Sequence, residues 1–479
     1  MSCLLSCIRC VRSRLLFLLF GAALFCAGFT GPAVFSRAAS SSAAPANGPS
    51  VGLTPGSVAL PVRPQATVDA PRFSEESSLV SHVLDLENER LSLMPSVAAW
   101  KWQHHAPISD PPRERIVILA AGKLAQLLGL APAPIERLFA LQVRLARDAE
   151  TGRVRHWRTS GYDFTGRPPD LKNELRPHLD RLTSDLLRAL YLAAPAFARP
   201  RFTELYAARS TRLLKNAAWS PASRRELLAD LAAVRLEPAT PGGTPGPASV
   251  LERIDDSHFL RIGTTGDYAP FSAEAHGRLR GVDIELAQAL AQKLGARPIF
   301  VRTSWPTLLD DLRHDRFDVA IGGISATPAR EAAAAMSIPY LSGGKTLIAR
   351  CRDARRFDSL AAVDRPGVRV IVNPGGTNEQ YVRAHLRRAR VIAYPSNASI
   401  FEQLVAGRAD VMITDDVEVA LQTRRHPQLC RALPGTLTRA DKVILMLRDP
   451  ALVAAVDGWL HHELANGAPA RLLEEALAQ

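Results

Sequence analysis

The 479-residue sequence contains no run of five or six like charges, although its formal net charge is +12. The basic residues are spread along the chain, as on an ordinary solvated surface, so no nucleic-acid-binding tract is expected. Buried arginines that hold small anionic substrates would explain the excess equally well. With 47% apolar and 22% charged residues, the chain can bury two or three ordinary cores.

The start of the chain lacks an apolar run long enough to span a bilayer. Arg9, Arg12 and Arg14 precede residues 15–28, an uninterrupted apolar run of 14 residues. This pattern predicts an export signal over residues 1–39, with small residues at 38–46 where a peptidase could cut. The expected location is the periplasm, with no membrane attachment after cleavage; an uncleaved membrane anchor is the alternative.

Cysteine is also scarce. Four of the six cysteines lie within the first 26 residues, which leaves Cys351 and Cys430 for the mature chain. In an oxidising compartment two cysteines favour one disulfide, which would close a loop of about 80 residues. Two unrelated buried thiols are the alternative.

Composition divides the rest of the chain. Residues 40–74 are rich in Ala, Ser, Pro and Gly, as in a disordered spacer, and residues 75–236 follow a helical pattern throughout. A linker rich in proline and glycine over 237–256 leads to a domain over 257–479, in which short β-branched runs alternate with helices. The sequence therefore predicts a multidomain chain, an all-α domain followed by an α/β domain. The expected strands are 260–264, 298–301, 319–321, 346–349, 368–372, 391–393 and 411–413.

One loop of the α/β domain combines an anion cradle with an acid. Residues 373–379 (Asn-Pro-Gly-Gly-Thr-Asn-Glu) follow a run that is typical of a buried parallel strand and precede a helix. A Gly-Gly turn there exposes backbone N–H groups to an anion. Glu379 would repel that anion unless it is protonated, which indicates chemistry rather than simple capture. A helix-stabilising role at the N-terminus is the alternative for Glu379.

The helical domain places cations on one stripe. Arg90 and Lys101 are 11 residues apart, about three helical turns, so they project from nearly the same face. Asp110 is the expected N-cap of the next helix, with Arg113 and Glu114 in its first turn. Further along, Gln142, Ala146 and Glu150 recur at intervals of four. Surface cations with solvated heads are the alternative for any single residue.

Residues 75–236 resemble the secreted, all-helical class of chorismate mutases. The resemblance rests on residues 90–91, 93–94, 97–98, 101–102, 108–110, 113–114 and 139–142. It implies that Arg90, Lys101 and Arg113 hold the two carboxylates and the ether oxygen of chorismate, with Arg176 as a further carboxylate contact. Asp110 and Glu114 would position the cations and a substrate hydroxyl, and Glu150 would face the ether oxygen. Ala146 stands where related enzymes often place a hydroxyl, and neighbouring cations are expected to lower the pKa of Glu150.

Residues 257–479 resemble two-lobed periplasmic binding proteins of type II, and among them the periplasmic cyclohexadienyl dehydratases. The motifs are 263–268, 303–306, 337–341, 344–346, 373–379 and 426–430. The resemblance implies decarboxylative dehydration of prephenate or arogenate, and a bridge between Cys351 and Cys430. Its implied binding residues are Thr327, Arg330 and Thr377 for a carboxylate, Tyr268 and Trp305 for the ring, Lys345 as a second electrostatic contact, and Asp415 for an amino group.

Glu379 is the expected general acid, with a pKa raised by desolvation in the closed cleft. Neither reaction needs a cofactor or a metal, and the implied partners are the small-molecule substrates, with a possible homodimer through the helical domain. The competing hypothesis is an amino-acid receptor of a transporter, with the helical domain as a partner-binding module.

Overall fold

A computed structural model of the chain describes residues 69–237, 249–275 and 277–478, with side chains from residue 76 onward. The expected signal, most of the spacer and the linker residues 238–248 lie outside these ranges. Two segments differ from the expected boundaries. Residues 69–74, assigned to the spacer, begin the first helix, and residues 250–256, assigned to the linker, belong to a capped helix.

Residues 69–237, called here the helical half, contain seven α-helices and one π-helical turn. The only β pairing in these residues is a single bridge between Leu130 and Leu236. The helices are α1 Asp69–Ser92, α2 Met94–Gln103, α3 Pro111–Leu127, α4 Pro132–Ser160, the π-helical turn Leu171–Leu175, α5 Arg176–Phe197, α6 Phe202–Leu213 and α7 Pro221–Ala233.

The stripe that carries Arg90 and Lys101 is broken once. Leu93 separates α1 from α2, and Pro95 lies in the first turn of α2. Proline lacks an N–H group and its ring crowds the preceding turn, which explains the break. Leu93 keeps helical dihedral angles (φ −81°, ψ −15°), so the two helices still run on nearly continuously.

Residues 249–478, called here the α/β half, form two lobes, each built on a five-stranded sheet. The first lobe has the strand order β5-β1-β6-β15-β7, with β1, β5 and β6 parallel. Every residue of β1 is buried, as in a strand covered on both faces. Its elements are α8 Val250–Ser257, β1 Phe259–Thr264, β2 Asp267–Tyr268, β3 Ser272–Ala275, β4 Arg278–Arg280, α9 Val282–Lys293, β5 Arg297–Arg302, α10 Leu308–Arg313, β6 Val319–Ala320, α11 Pro328–Ala333 and β7 Ala335–Met336.

The second lobe has the order β11-β10-β12-β9-β13, and the parallel pairing of β10 agrees with the sequence expectation. All seven expected strands are present. The remaining elements are β8 Leu341–Gly343, β9 Lys345–Arg350, α12 Cys351–Ala354, α13 Leu360–Val363, β10 Arg369–Val372, α14 Thr377–His385, β11 Arg390–Ala393, a 3₁₀ turn Asn397–Ser399, α15 Ile400–Val405, β12 Val411–Asp415, α16 Asp416–Arg425, β13 Leu429–Arg431, β14 Ala440–Lys442, β15 Leu445–Met446, α17 Pro450–Ala465 and α18 Ala468–Ala478.

The chain passes between the lobes through a two-stranded antiparallel ribbon of β8 and β14, called here the hinge ribbon. After β14 the chain returns to the first lobe as β15. Gly344 follows β8 directly, and a Cβ there would lie 1.9 Å from the Thr438 carbonyl oxygen, so only glycine fits. The two lobes are therefore joined at one edge, next to Lys345 and Lys442.

The helical half packs against the first lobe. The Tyr191 hydroxyl donates to the Arg316 carbonyl at 2.6 Å, and Arg297 forms an ion pair with Asp185. One cluster of buried apolar residues extends from the helices into the first lobe, where it includes Phe317. Within the described ranges, no helix is long and apolar enough to cross a membrane.

Candidate active sites

A cavity of about 610 Å³ lies among the helices of the helical half. All seven residues that sequence analysis assigned to this domain's site line it. Their convergence on one cavity is what a single binding site requires. These residues are Arg90, Lys101, Asp110, Arg113, Glu114, Glu150 and Arg176, and Gln142 and Ala146 lie in the same wall.

The floor of this cavity is buried and holds an ion pair. Lys101 Nζ donates to Glu150 Oε2 at 2.7 Å and to the Ile108 carbonyl at 2.9 Å. Burial raises the pKa of the Glu150 carboxyl, and Lys101 opposes this only in part. The expectation that neighbouring cations lower this pKa is therefore wrong in its net direction, because desolvation outweighs the nearby charge.

The mouth of the cavity is more exposed. Asp110 caps α3 as expected, since its Oδ1 accepts from Arg113 N at 3.2 Å. Glu114 accepts from Asp110 N at 3.2 Å and pairs with Arg147 at 3.2 Å. Arg113 and Arg176 are exposed residues of the wall, so exposed cations surround the entrance while buried Arg90 and half-buried Lys101 lie below. Arg147 and Lys172 also line the cavity and were not identified from the sequence.

A second, much smaller cavity of about 20 Å³ lies between the lobes of the α/β half. That space holds about one water molecule, so the lobes are closed in this structure. Of the residues expected here, Tyr268, Trp305, Arg330, Thr377 and Asp415 line it. The rest of the lining is Gly323, Ser325, Asn373, Gly376, Asn378 and Asn397.

Asp415 is surrounded by donors. Lys345 Nζ donates to its Oδ1 at 2.9 Å, Lys442 Nζ donates to its Oδ2 at 2.6 Å, and the Tyr268 hydroxyl also donates to Oδ2. Burial alone would raise the pKa of Asp415, but the two ammonium groups hold it well below its usual range. Asp415 therefore has partners within the protein, whereas the sequence expectation reserved it for a substrate amino group. Lys442 was not identified from the sequence.

Arg330 remains available for an anion. Among its guanidinium nitrogens, Nη1 is the one with a partner in the described chain, the Ser325 carbonyl at 2.7 Å, and the group lies over the Trp305 ring at 5.9 Å. Burial lowers the Arg330 pKa to about 10, so the group stays charged at neutral pH. Thr327 caps α11 and lines an adjoining cavity rather than the small one. Arg330 is thus the cation of the cavity lining that has no carboxylate partner in the described chain.

Glu379 does not line the cleft cavity. Its carboxylate accepts from Gly375 N at 2.8 Å and pairs with Arg383, on the next turn of α14, at 2.7 Å. The Gly375 hydrogen bond and then Arg383 lower the pKa of Glu379. The expected upward shift is wrong, because the side chain folds back onto its own loop instead of entering a desolvated cleft. Its geometry is that of a residue that stabilises the loop and the helix start.

Glu418 is a buried acid behind the wall of the cleft cavity, and sequence reasoning missed it. It lies on α16, three residues after Asp415, and is 2% exposed. The Thr414 hydroxyl donates to it, and Thr414 in turn accepts from the cavity residue Asn378 at 3.0 Å. Burial raises the Glu418 pKa to about 8. The Thr414 hydrogen bond lowers this pKa, and the negative charge of Asp415 raises it. The motif Asp415-Asp-Val-Glu418 offered one signal, since a helix turn brings the two ends together.

Cys351 and Cys430 form a disulfide, as expected, at a sequence separation of 79 residues. The bridge joins the start of α12 to β13, at the edge strand of the second lobe.

Comparison with known proteins gives a match for each half. The family described as chorismate mutase type II matches residues 81–151, and the bacterial extracellular solute-binding proteins, family 3, match residues 260–478. The cyclohexadienyl dehydratase of Pseudomonas aeruginosa is 46% identical over 243 residues, which cover 50% of this chain and 90% of that protein. This chain belongs to the cyclohexadienyl dehydratase family. Its helical half adds a chorismate mutase region to the dehydratase-family half.

More distant relatives are binding proteins. The ABC transporter arginine-binding protein 1 of Escherichia coli is 27% identical over 183 residues, which cover 38% of this chain and 71% of that protein. Among solved structures, an ancestral amino acid-binding protein described as a precursor of cyclohexadienyl dehydratase is 32% identical. It covers 48% of this chain and all of its own, with a TM-score of 0.45.

Proposed function

We propose that the chain is a bifunctional enzyme that rearranges chorismate to prephenate in the helical half and converts prephenate to phenylpyruvate in the α/β half. The observation that carries the proposal is the pair of cavities, one in each half: Arg90, Lys101 and Glu150 line the first, and Arg330 lines the second, with the buried Glu418 behind its wall. Burial raises the pKa of both Glu150 and Glu418. The family membership of the two halves supports the same reading. The halves would act in sequence, since the product of the first is the substrate of the second.

The first cavity suits a pericyclic rearrangement. Such a reaction needs no nucleophile, only a dianion held in a compact conformation and donors aimed at the ether oxygen. Arg90, Arg113 and Arg176 would hold the carboxylates. Lys101 and protonated Glu150 lie side by side on the floor and would both donate to the oxygen as negative charge develops there. The raised pKa of Glu150 favours the protonated donor form.

The second cavity suits an elimination. Prephenate loses carbon dioxide from its ring carboxylate and hydroxide from the opposite ring carbon, and one added proton turns the hydroxide into water. Arg330 would hold the side-chain carboxylate, with Trp305 and Tyr268 around the ring. Arogenate, with an amino group in place of the keto group, would follow the same course to phenylalanine.

Glu418 is the proton donor that we propose for this step. A general acid at neutral pH needs a pKa near 7, and two nearby acids with diverging pKa values mark the division between proton donor and charge carrier. Glu418 and Asp415 form such a pair. Glu418 lies two hydrogen bonds behind the wall residue Asn378, and the lobes must separate before any substrate enters a space of about 20 Å³. Thr414, whose hydroxyl joins Glu418 to Asn378, would relay the proton towards the leaving hydroxyl in the opened cleft.

The test compares Glu418→Gln with Glu379→Gln in an absorbance assay of phenylpyruvate formed from prephenate. Loss of a general acid lowers the rate by about 100- to 10,000-fold, which is the result expected for Glu418→Gln. Glu379→Gln should keep activity within a few fold. Chorismate mutase activity, which should survive in both, reports folding. The opposite ranking of the two variants would return the role of acid to Glu379.

The receptor hypothesis has weaker support, because an amino-acid receptor needs a free carboxylate for the ammonium group and Asp415 already binds two lysines. Tight amino-acid binding without turnover of chorismate or prephenate would favour it.

We also infer a periplasmic location, which the Cys351–Cys430 bridge supports, since disulfides persist in oxidising compartments. A homodimer through the helical half would cover Ile116 and Leu119, which are 56% and 54% exposed on α3. Measurement of the mass in solution tests it.

A further inference from the structure

A buried carboxyl that neither reaction uses lies behind the wall of the helical cavity. Glu87 is fully buried on α1, one turn before Arg90. The side-chain amide of Gln142, which lines the cavity, donates to the Glu87 carbonyl oxygen at 3.1 Å and also to Glu87 Oε2. Glu87 is therefore connected to the binding site by a single side chain on α4 and by its neighbour on α1.

Two polar atoms in this region have no partner. Glu87 Oε1 and Arg90 Nε are both buried without a hydrogen bond in the described chain. The remainder of Arg90 is firmly held, since Nη1 donates to the Leu179 carbonyl at 3.0 Å and to Thr183 Oγ1 at 2.8 Å, above the Phe139 ring at 5.2 Å. Glu87 Oε1 is an unpaired acceptor and Arg90 Nε is an unpaired donor, and the two residues are three positions apart on one helix. An ionised Glu87 would be attracted to Arg90 and would pair these two atoms.

The charges around Glu87 favour its neutral form. Burial raises the Glu87 pKa to about 8, and the positive charge of Arg90 opposes the shift only in part. The groups that face this pair are Gln142 on α4, which is uncharged, and Asp180 on α5, which lies near Arg90 and lines the cavity. When Glu87 is neutral, the charged neighbour that remains for Arg90 is Asp180, and the guanidinium charge is available to an anion in the cavity.

We propose that Glu87 is a positioning residue for the rearrangement, whose neutral form holds Gln142 in the cavity wall and leaves the charge of Arg90 to the substrate carboxylate. In its ionised form Glu87 competes with the substrate for Arg90. By linkage, a dianion bound at Arg90 favours the protonated Glu87, so binding takes up a proton at mildly alkaline pH. The inference rests on the mutase activity proposed above.

The first test measures chorismate mutase kinetics from pH 6 to 9.5 in the wild type, Glu87→Gln and Glu89→Gln. Glu89 is exposed on the same helix and provides the matched control. In the wild type and the control, KM should rise several fold above pH 8, because substrate and carboxylate compete for Arg90. In Glu87→Gln, KM should stay level over the same range. Ionisation of Glu150 is common to all three proteins, so the difference in KM between Glu87→Gln and Glu89→Gln isolates the effect of Glu87. An unchanged alkaline rise of KM in Glu87→Gln would overturn the proposal.

The second test does not depend on the Glu87 variant folding. A stable oxabicyclic dicarboxylate that mimics the rearranging substrate is titrated into the wild-type chain at pH 8.5, in two buffers of different ionisation enthalpy. The calorimetric heats should report net uptake of a proton in the wild type and in Glu89→Gln, and the uptake should persist in Glu150→Gln, which removes the other acid with a raised pKa from the same cavity. Binding without proton uptake would overturn the role of Glu87. A wild type that neither consumes chorismate nor binds this compound at any pH would instead refute the mutase function itself.

Discussion

The carboxylic acids of the second lobe show how the environment of a residue decides its role. Asp415 is buried between two ammonium groups and has a lowered pKa, whereas Glu418, one turn away, is buried with a hydroxyl partner and has a pKa of about 8. Glu379 accepts a hydrogen bond from a backbone N–H group, pairs with an arginine and also has a lowered pKa. Among these three acids, desolvation dominates at Glu418, which has no direct ion pair or hydrogen bond to a cation in the described chain. The general acid of an elimination is therefore expected at a buried carboxyl without a direct cation partner. It is not expected at the loop that most resembles an anion-binding site.

At Glu150 the same balance gives a prediction for the mutase. Its donor form is the protonated one, so wild-type activity should fall as the pH rises through its raised pKa. Glu150→Gln donates an N–H at every pH and should keep activity within about tenfold at pH 6, with a flat profile above it. Initial rates of chorismate consumption from pH 5 to 9 provide the measurement. Complete loss of mutase activity in a folded Glu150→Gln variant would remove Glu150 from the site.

The helical site could be predicted residue by residue because its pattern is local. Arg90, Lys101, Gln142 and Glu150 follow helical spacing, and a helix converts such spacing into one face even across the break at Leu93. Glu418 could not be identified in that way, since its burial depends on the packing of α16 against β9, a strand that lies far earlier in the sequence. The direction of the Glu379 side chain was also beyond the sequence, because a glutamate at a helix start can turn to either the cleft or its own loop.

At the level of elements, the strong strands were predictable and the weak ones were not. All seven expected strands contain β-branched residues and pair in one of the two five-stranded sheets, although β11, at a sheet edge, has no buried residue. The hinge ribbon consists of Leu341–Gly343 and Ala440–Lys442, which are short, contain polar residues and pair over about 100 positions of sequence. No local pattern indicates such a pairing. The topology that places Lys442 beside Asp415 depends on this ribbon, which explains why that lysine was missed.

The edge of the second lobe gives an element-level prediction. The Cys351–Cys430 bridge ties α12 to β13, which otherwise holds the sheet through β9 alone. Closing a loop of 79 residues stabilises a fold by about 4–5 kcal/mol in the chain-entropy model, and measured losses are about 2–5 kcal/mol. Cys351→Ser/Cys430→Ser should lower the unfolding free energy by that amount in urea titrations at pH 7. A difference below about 0.5 kcal/mol would show that β13 is held without the bridge.

Over the whole molecule, the two halves share a core instead of meeting only at a linker. Buried apolar residues continue from the helices into the first lobe, and Tyr191 reaches the Arg316 carbonyl. Arg261, 1% exposed beneath this contact, is held by Asp315 and Asp318, while Arg253 also binds Asp318. All four residues of this ion cluster belong to the α/β half, so the shared apolar core and Tyr191 join the two halves.

The shared core predicts coupled unfolding of the two activities. On heating, mutase activity and prephenate turnover should be lost over the same temperature range, with one main calorimetric transition for the helical half and the first lobe. Activity assays after stepwise heating and scanning calorimetry of the full chain measure both. Mutase activity that persists well above the loss of prephenate turnover would show that the helical half folds independently.

The closed cleft has a consequence for what the α/β half can recognise. Its ligand-binding groups already bind one another: Lys345, Lys442 and Tyr268 all donate to Asp415 in a space that holds about one water. Substrate binding is then an exchange reaction, in which opening the lobes strains these internal bonds and the ligand must replace what they supply. A dianion can offer such replacement contacts to Arg330 and to the lysines, whereas an uncharged ring of the same shape cannot. The ligand competes with the Asp415 carboxylate for the same cations, so the α/β half would select ligands by charge as well as by shape.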